Sequence, residues 1–347
     1  MTSELLIERR GHAGLVTLNR PRALNALTRE MCLALHGQLA LWARDDAVKL
    51  VVIAGAGDRA FCAGGDVRAL YDDRQAGGRE RFDFYRDEYR LNAAIKRFPK
   101  PYVALMDGIV MGGGVGVSIH GSHRVATERT VFAMPETGIG LFPDVGGTFF
   151  LPRLPGRIGT FLGLTGHRLQ AADCRYAGIA DVEIRSARLP DLVEPLCKAT
   201  DAGGVSATLA AFAEPVPESW LAGIRDEIDR SFAEESVEAI LAALDRSDTP
   251  FGRKTAVALR SKSPTSLKVT LRQLRAGARL GFEDCMRLEY RLACRFMRGH
   301  DFFEGVRAVV IDKDNRPRWR PETLEAVTAD QVAAFFAPLP EGELTFD

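Results

Sequence analysis

Two glycine-rich turns constrain this 347-residue sequence more than any other feature. They are Ala60–Asp66 (AFCAGGD) and Met111–Gly116 (MGGGVG). Because glycine has no side chain, each turn can bend the backbone tightly and bring its N–H groups close to a ligand. Two such turns can direct N–H groups at one developing oxyanion, while a carboxylate beside it attacks the carbonyl or activates water. The pattern indicates acyl chemistry that needs no metal.

Two carboxylates follow these turns in rigid loops. Glu136 comes after Pro135, and Asp144 comes after Pro143. Proline fixes its own φ angle and has no N–H, which disfavours helix at both places. The residues around the two acids are large and apolar, namely Phe132, Met134, Ile139, Leu141 and Phe142. Since surface carboxylates seldom have such neighbours, we interpret the pair as functional.

The composition is that of an ordinary globular protein. Lys and Arg number 46, Asp and Glu also number 46, and 46% of the residues are hydrophobic. The balance of charge gives no basic footprint for a nucleic acid. None of the six cysteines forms a C-x-x-C pair, so we expect reduced thiols. The N-terminus resembles neither a signal nor a transit peptide, and no apolar run approaches the ~20 residues of a membrane span. These observations predict a cytoplasmic protein with no membrane partner.

Alternating strand and helix patterns predict an α/β fold. Leu15–Asn19 and Lys49–Ala54 read as strands, and Thr28 can cap a helix that runs to about Arg44. The helix would carry an apolar stripe of Cys32, Leu35, Leu39 and Trp42. A strand, a helix and a strand at this spacing form a βαβ unit.

Further elements are predicted along the rest of the chain. Strands are expected at 102–106, 124–127 and 130–134, and helices over 79–97, from 115 to 120, within 155–180, as a pair between 218 and 246, and over 267–275 and 282–298. Residues 201–218 are rich in Ala, Gly and Pro, which indicates a connector or lid. We expect three regions: a core with the active site over 1–195, a variable helical connector over 196–262, and a C-terminal helical region over 263–347.

Several other motifs are weaker. Gly55–Ala60 matches the loose dinucleotide fingerprint G-x-G-x-x-A, but another glycine turn follows where a helix should begin. Ser118 lies in a sequence like a serine elbow, except that its closing glycine is replaced by His120. His120 and His123 lack a third zinc ligand nearby. Cys62 is better explained as a small residue packed behind its turn than as a nucleophile.

Four motifs together resemble the enoyl-CoA hydratase/isomerase (crotonase) superfamily. They are RALNAL (22–27), AFCAGGD (60–66), DGIVMGGG (107–114) and FAMPETG (132–138). Four more are similar to the branch that hydrolyses 3-hydroxyisobutyryl-CoA: DEYRLN (87–92), GLFPDVGG (140–147), SPTSLK (263–268) and EGVRAVVIDKD (304–314). The resemblance implies a crotonase-like α/β spiral of ββα units, with the helical C-terminal region covering the coenzyme A (CoA) site.

The resemblance also implies roles for particular residues. The N–H groups of Gly65 and Gly113 would form the oxyanion hole for a thioester carbonyl. Glu136 matches the catalytic glutamate, Asp144 matches its aspartate partner, and Glu88 matches a glutamate that contacts the substrate. Gly113 would contact the substrate as well.

The bound CoA would lie along two turns, one at Ala23 and Ala26 and the other at Ala63 and Asp66. The substrate would be a short 3-hydroxyacyl-CoA, with 3-hydroxyisobutyryl-CoA from valine breakdown first and 3-hydroxypropionyl-CoA second. No cofactor is expected, since CoA enters as part of the substrate. No metal or nucleic acid is expected either, and a homo-oligomer is left open.

At one position the sequence departs from the pattern of the hydratases, and this departure favours hydrolysis over hydration. Hydratases of this superfamily carry a second catalytic glutamate just after the Gly-Gly-Gly turn, and Gly116 occupies that position here. Adding water across a C=C bond needs two positioned acid/base groups. The alternatives are an enoyl-CoA hydratase or isomerase, which would act on crotonyl-CoA despite Gly116, and a non-catalytic scaffold or RNA-associated protein, which the intact Glu136 and Asp144 argue against.

Overall fold

The computed structural model describes residues 3–215 and 218–346 of the chain. Its contacts divide the chain into two compact units that alternate along the sequence. The first unit comprises Met1–Asp66, Arg90–Ala133 and Arg168–Ala222, and the second comprises Val67–Tyr89, Met134–His167 and Gly223–Asp347. The parts of the predicted regions that fall on residues 1, 2, 216, 217 and 347 lie outside the described residues. The three predicted regions stay a prediction.

All strands of the described chain belong to the first unit. They are β1 (Leu5–Arg10), β2 (Ala13–Leu18), β3 (Leu50–Gly55), β4 (Ala60–Cys62), β5 (Tyr102–Met106), β6 (Ile109–Met111), β7 (His123–Ala126), β8 (Val131–Ala133) and β9 (Val182–Glu183). A six-stranded sheet has the order β1-β2-β3-β5-β7-β9, and a smaller sheet has the order β4-β6-β8. Only the β1–β2 pair is antiparallel among these pairings.

The parallel arrangement follows from how apolar the central strands are. All five residues of β5 and the first four of β3 are buried, as expected for strands covered on both faces. The apolar residues of β3, β5 and β7 pack with Leu192, Leu196, Val205 and Leu209 in one core.

Sixteen α-helices of very different length are described. They are α1 (Arg29–Arg44), α2 (Val67–Gln75), α3 (Glu80–Lys96), α4 (Gly113–Gly116), α5 (Gly147–Phe150), α6 (Ile158–Thr165), α7 (Ala171–Tyr176), α8 (Leu189–Lys198), α9 (Ala202–Phe212), α10 (Trp220–Ser231), α11 (Val237–Ser247), α12 (Pro250–Arg260), α13 (Pro264–Gly277), α14 (Phe282–Phe296), α15 (Asp301–Val306) and α16 (Ala329–Phe336). Within this described part, no helix is both long and apolar enough to span a membrane.

Helix α1 confirms its sequence pattern. The Thr28 hydroxyl accepts a hydrogen bond from the Met31 N–H at 3.2 Å and caps the helix. The four predicted stripe residues, Cys32, Leu35, Leu39 and Trp42, are all buried. The predicted helices at 79–97, 267–275 and 282–298 correspond to α3, α13 and α14.

One helix was not foreseen, and another is shorter than expected. The stretch interpreted as a connector contains α9, which Asp201 caps by accepting the Gly204 N–H at 2.8 Å. This helix buries Val205 and Leu209, so apolar packing outweighs its glycines. The helix expected over 115–120 ends at Gly116, after a single turn.

The loop before α1 is fixed by one buried amide. Leu24 and Asn25 both have positive φ angles, 51° and 57°, a region that asparagine tolerates better than most residues. The Asn25 side chain accepts the Arg20 N–H at 2.9 Å. It also donates to the carbonyl oxygens of Ala56 at 2.9 Å and Ala60 at 2.8 Å. Three parts of the first unit are therefore joined through this side chain.

We expect Asn25→Ala to lower the free energy of unfolding by about 2–4 kcal/mol, because three hydrogen bonds are lost and buried groups are left without partners. Urea denaturation would measure the change. Asn315→Ala is the matched control, since Asn315 also has a positive φ angle of 53° but is exposed. Equal losses in the two variants would contradict the role given to Asn25.

Candidate active site

The two glycine turns lie side by side at one edge of the smaller sheet. Strands β4 and β6 are parallel neighbours, with Cys62 paired to Val110. Because parallel strands end at the same edge, the turns that follow them come together. A Cβ atom placed on Gly64 would lie 3.9 Å from the backbone nitrogen of Gly113. The structure thus brings the two predicted oxyanion-hole turns together.

The backbone geometry of these turns leaves two N–H groups, those of Gly65 and Gly113, without an acceptor inside their own bridge or helix. Leu27 donates its N–H to the Gly64 carbonyl at 2.8 Å and accepts the Asp66 N–H at 2.9 Å. In this parallel bridge, the intervening Gly65 amide points away from Leu27. Gly113 is the first residue of α4, and the first N–H of a helix has no partner within the helix. A side chain at Gly114 would overlap the carbonyl oxygen of Cys62, so only glycine fits there.

The predicted CoA-binding turns are tied together by a residue that the sequence did not reveal. Arg20 donates to the Asp66 carboxylate at 2.9 Å and to the Ala26 carbonyl at 2.7 Å. The Ala63 N–H donates to the Leu24 carbonyl at 3.0 Å. Ala23, Ala26, Ala63 and Asp66 therefore lie on connected loops. Their contact with CoA stays a prediction.

The second unit holds a group of buried acids. Glu88 on α3, Glu136, Asp144 in its loop, and Glu289 on α14 are each at most 4% exposed. Glu136 begins a short 3-10 helix (Glu136–Ile139), so the expectation of a non-helical loop is wrong there. The Tyr89 hydroxyl donates a hydrogen bond to Asp144 Oδ2 at 2.8 Å. The structure buries Glu136 and Asp144, as their apolar neighbours indicated, and Glu88 as well. We call these four acids the acid cluster.

Burial raises every pKa in the acid cluster, because a charged carboxylate loses its hydration there. Desolvation and the negative charges of Asp144 and other acids raise the pKa values of Glu88 and Glu136 well above the usual range. Desolvation also raises the pKa of Asp144 to about 7, although the Tyr89 hydrogen bond opposes it. The pKa of Glu289 rises to about 8, again chiefly by desolvation. The cluster therefore holds protons near neutral pH.

Two carboxylate oxygens of the cluster have no partner. Within residues 3–215 and 218–346, Glu88 Oε1 and Glu136 Oε2 are buried and receive no hydrogen bond. Buried polar atoms are normally satisfied, and the exceptions concentrate where a ligand or a reaction uses them. These two oxygens are the free functional groups of the cluster.

The loop that carries Asp144 is strained. Val145 has a φ angle of 48° and Gly146 one of 90°. A β-branched residue in this region costs on the order of 1–3 kcal/mol and persists only where its surroundings hold it. Glu289 accepts the N–H groups of Gly146 at 2.8 Å and Thr148 at 2.9 Å. Its carboxylate holds the loop in this conformation.

Glu289 was not predicted from the sequence, although a signal existed. Glu289 interrupts the apolar stripe of α14 formed by Cys285, Leu292 and Phe296. A single acid on a buried stripe needs donors, and here they come from backbone 141 to 143 residues away in the sequence. The sequence pattern could have identified Glu289 as a candidate, but it could not have identified its hydrogen-bond partners.

The weaker motifs have structural explanations. The Ser118 hydroxyl donates to the Gly114 carbonyl at 2.8 Å, and Cys62 is buried with its sulfur 3.5 Å from the Gly64 carbonyl oxygen. His123 contacts the hydroxyls of Ser122 at 2.8 Å and Ser206 at 3.1 Å. No group of three or more potential metal ligands was found in the residues that the structure describes.

The chain is an α/β protein whose first unit brings two glycine turns together at the edge of a parallel sheet and whose second unit buries a cluster of acids. The family model for enoyl-CoA hydratase/isomerase matches residues 13–336. This chain belongs to that family.

Similar proteins span the whole chain. The relative named "3-hydroxyisobutyryl-CoA hydrolase, mitochondrial" from Gallus gallus is 48% identical and covers 99% of this chain and 91% of its own length. A carnitinyl-CoA dehydratase structure from Mycobacterium thermoresistibile is 45% identical, with a TM-score of 0.94 and coverage of 100% of this chain and 99% of its own. An enoyl-CoA hydratase structure from Rhodobacter sphaeroides is 45% identical, with a TM-score of 0.92 and coverage of 99% and 100%. The predicted crotonase-like α/β fold is confirmed.

The predicted cytoplasmic location is wrong. Curated relatives that are 44–48% identical carry "mitochondrial" in their names. The prediction rested on composition and on the absence of a leader pattern, and neither reports where a folded enzyme of this family works.

We expect the melting temperature to fall as pH rises from about 5 to about 9. The cluster's folded-state pKa values are raised, so its stabilising contribution is present below pH ~4 and is lost as pH rises through about 7 to 8. Each extra proton on the folded state contributes about 1.4 kcal/mol per pH unit. Glu88→Gln should make the fall shallower, since an amide does not titrate.

Calorimetry across this pH range would measure the slope. Glu283→Gln is the control, because Glu283 lies on α14 with a side chain that is 34% exposed. Equal slopes in wild type and Glu88→Gln would show that Glu88 takes up no proton on folding.

Proposed function

We propose that this chain hydrolyses 3-hydroxyisobutyryl-CoA to 3-hydroxyisobutyrate and free CoA. The observation that carries the proposal is Glu136, a buried acid with an unpartnered oxygen and with Asp144 close enough to raise its pKa. The name of the Gallus gallus relative supports the choice of substrate. Gly116 supports hydrolysis over hydration, because it removes the second glutamate that hydration needs.

In this proposal, the N–H groups of Gly65 and Gly113 bind the thioester oxygen. The oxygen gains negative charge as the carbonyl carbon becomes tetrahedral, and the two amides are already oriented toward it. One such donor stabilises the transition state by roughly 3–4 kcal/mol. Backbone donors suit this role because they need no reorganisation during the reaction.

Glu136 acts on the carbonyl carbon. In its ionised form, Glu136 either attacks the carbon to give a mixed anhydride, which water then hydrolyses, or removes a proton from the attacking water. Both routes release CoA as a thiol and consume one water molecule. Asp144 has a pKa near neutrality, so it can give a proton to the departing sulfur and regain it afterwards.

Glu88 recognises the 3-hydroxyl group of the acyl chain. Its Oε1 atom is buried without a partner, and desolvation raises its pKa well above the usual range, which favours the neutral acid. A neutral acid can exchange hydrogen bonds with an alcohol and needs no counter-ion. This assigns to Glu88 the preference for 3-hydroxyacyl groups, with 3-hydroxypropionyl-CoA as the second substrate.

The remaining expectations belong to this proposal. CoA enters as part of the substrate, no cofactor or metal takes part, and residues 263–347 cover the CoA site. Ala23, Ala26, Ala63 and Asp66 line the bound CoA, held in place by Arg20.

A second candidate is hydration of an enoyl-CoA. It is favoured by the names of two solved structures, both 45% identical to this chain, which are a dehydratase and a hydratase. This candidate needs a second acid/base group in place of Gly116, and Asp144 would have to supply it.

A panel of short acyl-CoAs would separate the candidates. We expect free thiol to be released fastest from 3-hydroxyisobutyryl-CoA and more slowly from 3-hydroxypropionyl-CoA. With crotonyl-CoA, the absorbance of the C=C bond should not fall, because no water is added across it. Hydration of crotonyl-CoA without thiol release would overturn the proposal.

Glu136→Gln should lower kcat by at least about a thousandfold, because the amide can neither attack nor accept a proton. Binding of acyl-CoA should persist, as measured by calorimetric titration. Glu283→Gln on α14 is the control and should keep full activity. A Glu136→Gln enzyme with wild-type kcat would refute the assignment.

A further inference from the structure

We propose that Glu289 is the positioning residue of the acid cluster: its carboxylate holds the loop that presents Asp144, at the geometry that hydrolysis needs. This inference rests on the proposed function and extends it to a residue far from the active-site motifs in the sequence. Glu289 lies in the middle of α14 and is fully buried.

The contact between Glu289 and the loop is a two-point clamp. Oε2 accepts the Gly146 N–H at 2.8 Å, and Oε1 accepts the Thr148 N–H at 2.9 Å. Gly146 is the second residue of the strained Val145–Gly146 pair, and Thr148 follows two residues later, so both amides lie within four residues of Asp144. Two bonds from one rigid carboxylate fix the direction of this backbone as well as its distance.

The other side of the loop is held from α13. Gln273 donates one hydrogen bond to the Pro143 carbonyl at 2.6 Å and another to the Thr148 hydroxyl at 2.7 Å. Inside the loop, the Gly147 N–H donates to the Asp144 carbonyl at 2.7 Å. Asp144 is therefore bracketed by contacts before it and after it. Its side chain accepts a hydrogen bond from the Tyr89 hydroxyl.

A helix α14 with only apolar side chains on its buried face could not hold the loop of Asp144. The loop has a positive φ angle at Val145, which a β-branched residue adopts only when other contacts impose it. Removing the Glu289 carboxylate leaves two buried N–H groups without acceptors. We infer that the loop would then relax to an ordinary φ angle and turn Asp144 away from its position.

Glu289 and Asp144 also interact through charge. Desolvation, together with the negative charge of Asp144, raises the pKa of Glu289 to about 8, although the loop donors oppose the shift. The other titratable groups facing this region are Tyr85, Glu88 and Tyr89 on α3, Glu136, and Cys285 on α14. Desolvation is the main cause that raises the pKa of Asp144, so Glu289 acts on Asp144 through the position of the loop.

Two variants disturb the clamp in different ways. Glu289→Gln keeps the length of the side chain but removes one acceptor, and Glu289→Asp keeps both acceptors but shortens the side chain. We expect both to lower kcat about 100-fold with KM within about threefold, because a displaced group costs reactivity more than binding. A merely structural role would not separate kcat from KM in this way.

Asp173→Asn is the matched control for loss of stability. Asp173 is also a buried carboxylate that accepts a backbone N–H, from Leu221 at 3.0 Å, but it lies in the first unit and outside the acid cluster. It should lose melting temperature comparably while keeping kcat. Equal losses of kcat in Asp173→Asn and the Glu289 variants would overturn the inference. If Glu289→Gln does not fold, Glu289→Asp decides by its kcat.

Hydrogen exchange gives a readout that does not depend on activity. Both Glu289 variants should speed exchange of the Gly146 and Thr148 amides at least about tenfold, and Asp173→Asn should not. If wild type releases no thiol from any acyl-CoA but exchange responds in this way, the proposed function fails and the loop clamp stands. Unchanged exchange in a folded Glu289 variant would refute the clamp, whatever the enzymatic activity.

Discussion

The structure depends on four carboxylates that are buried together, with hydrogen-bond donors for only some of their oxygens. Glu88, Glu136, Asp144 and Glu289 are withdrawn from water, and their mutual repulsion raises the pKa values further. Such a group can be tolerated only if protons and hydrogen-bond donors neutralise it. The Tyr89 hydroxyl and two loop amides supply part of the donors. The oxygens left without partners are the ones the proposed reaction uses.

The two compact units are built differently. The first contains every described strand, and its short sheet brings two glycine turns together. The second contains the acid cluster and most of the helices, with α13 and α14 holding the loop of Asp144. Close backbone packing requires glycine at position 114 of the first unit. In the second unit, burial sets the pKa values of the acids.

Local patterns in the sequence predicted much of this. The stripe and cap of α1, the buried strands β3 and β5, and the proline-flanked acids Glu136 and Asp144 are all readable over a few residues, and the structure agrees with them. Helix α9 was missed because its composition suggested a connector, while its stability comes from packing on the sheet. Asn25, Arg20 and Glu289 were missed for a related reason: each acts on backbone or side chains distant in the sequence. The roles of Gly65 and Gly113 came from resemblance and stay a prediction.

A crystal structure of the Glu136→Gln variant with intact 3-hydroxyisobutyryl-CoA would test the central claim most directly. The thioester oxygen should lie within hydrogen-bond distance of the backbone nitrogens of both Gly65 and Gly113, with the carbonyl carbon facing the side chain at position 136. A bound substrate whose thioester oxygen contacts neither amide would contradict the account.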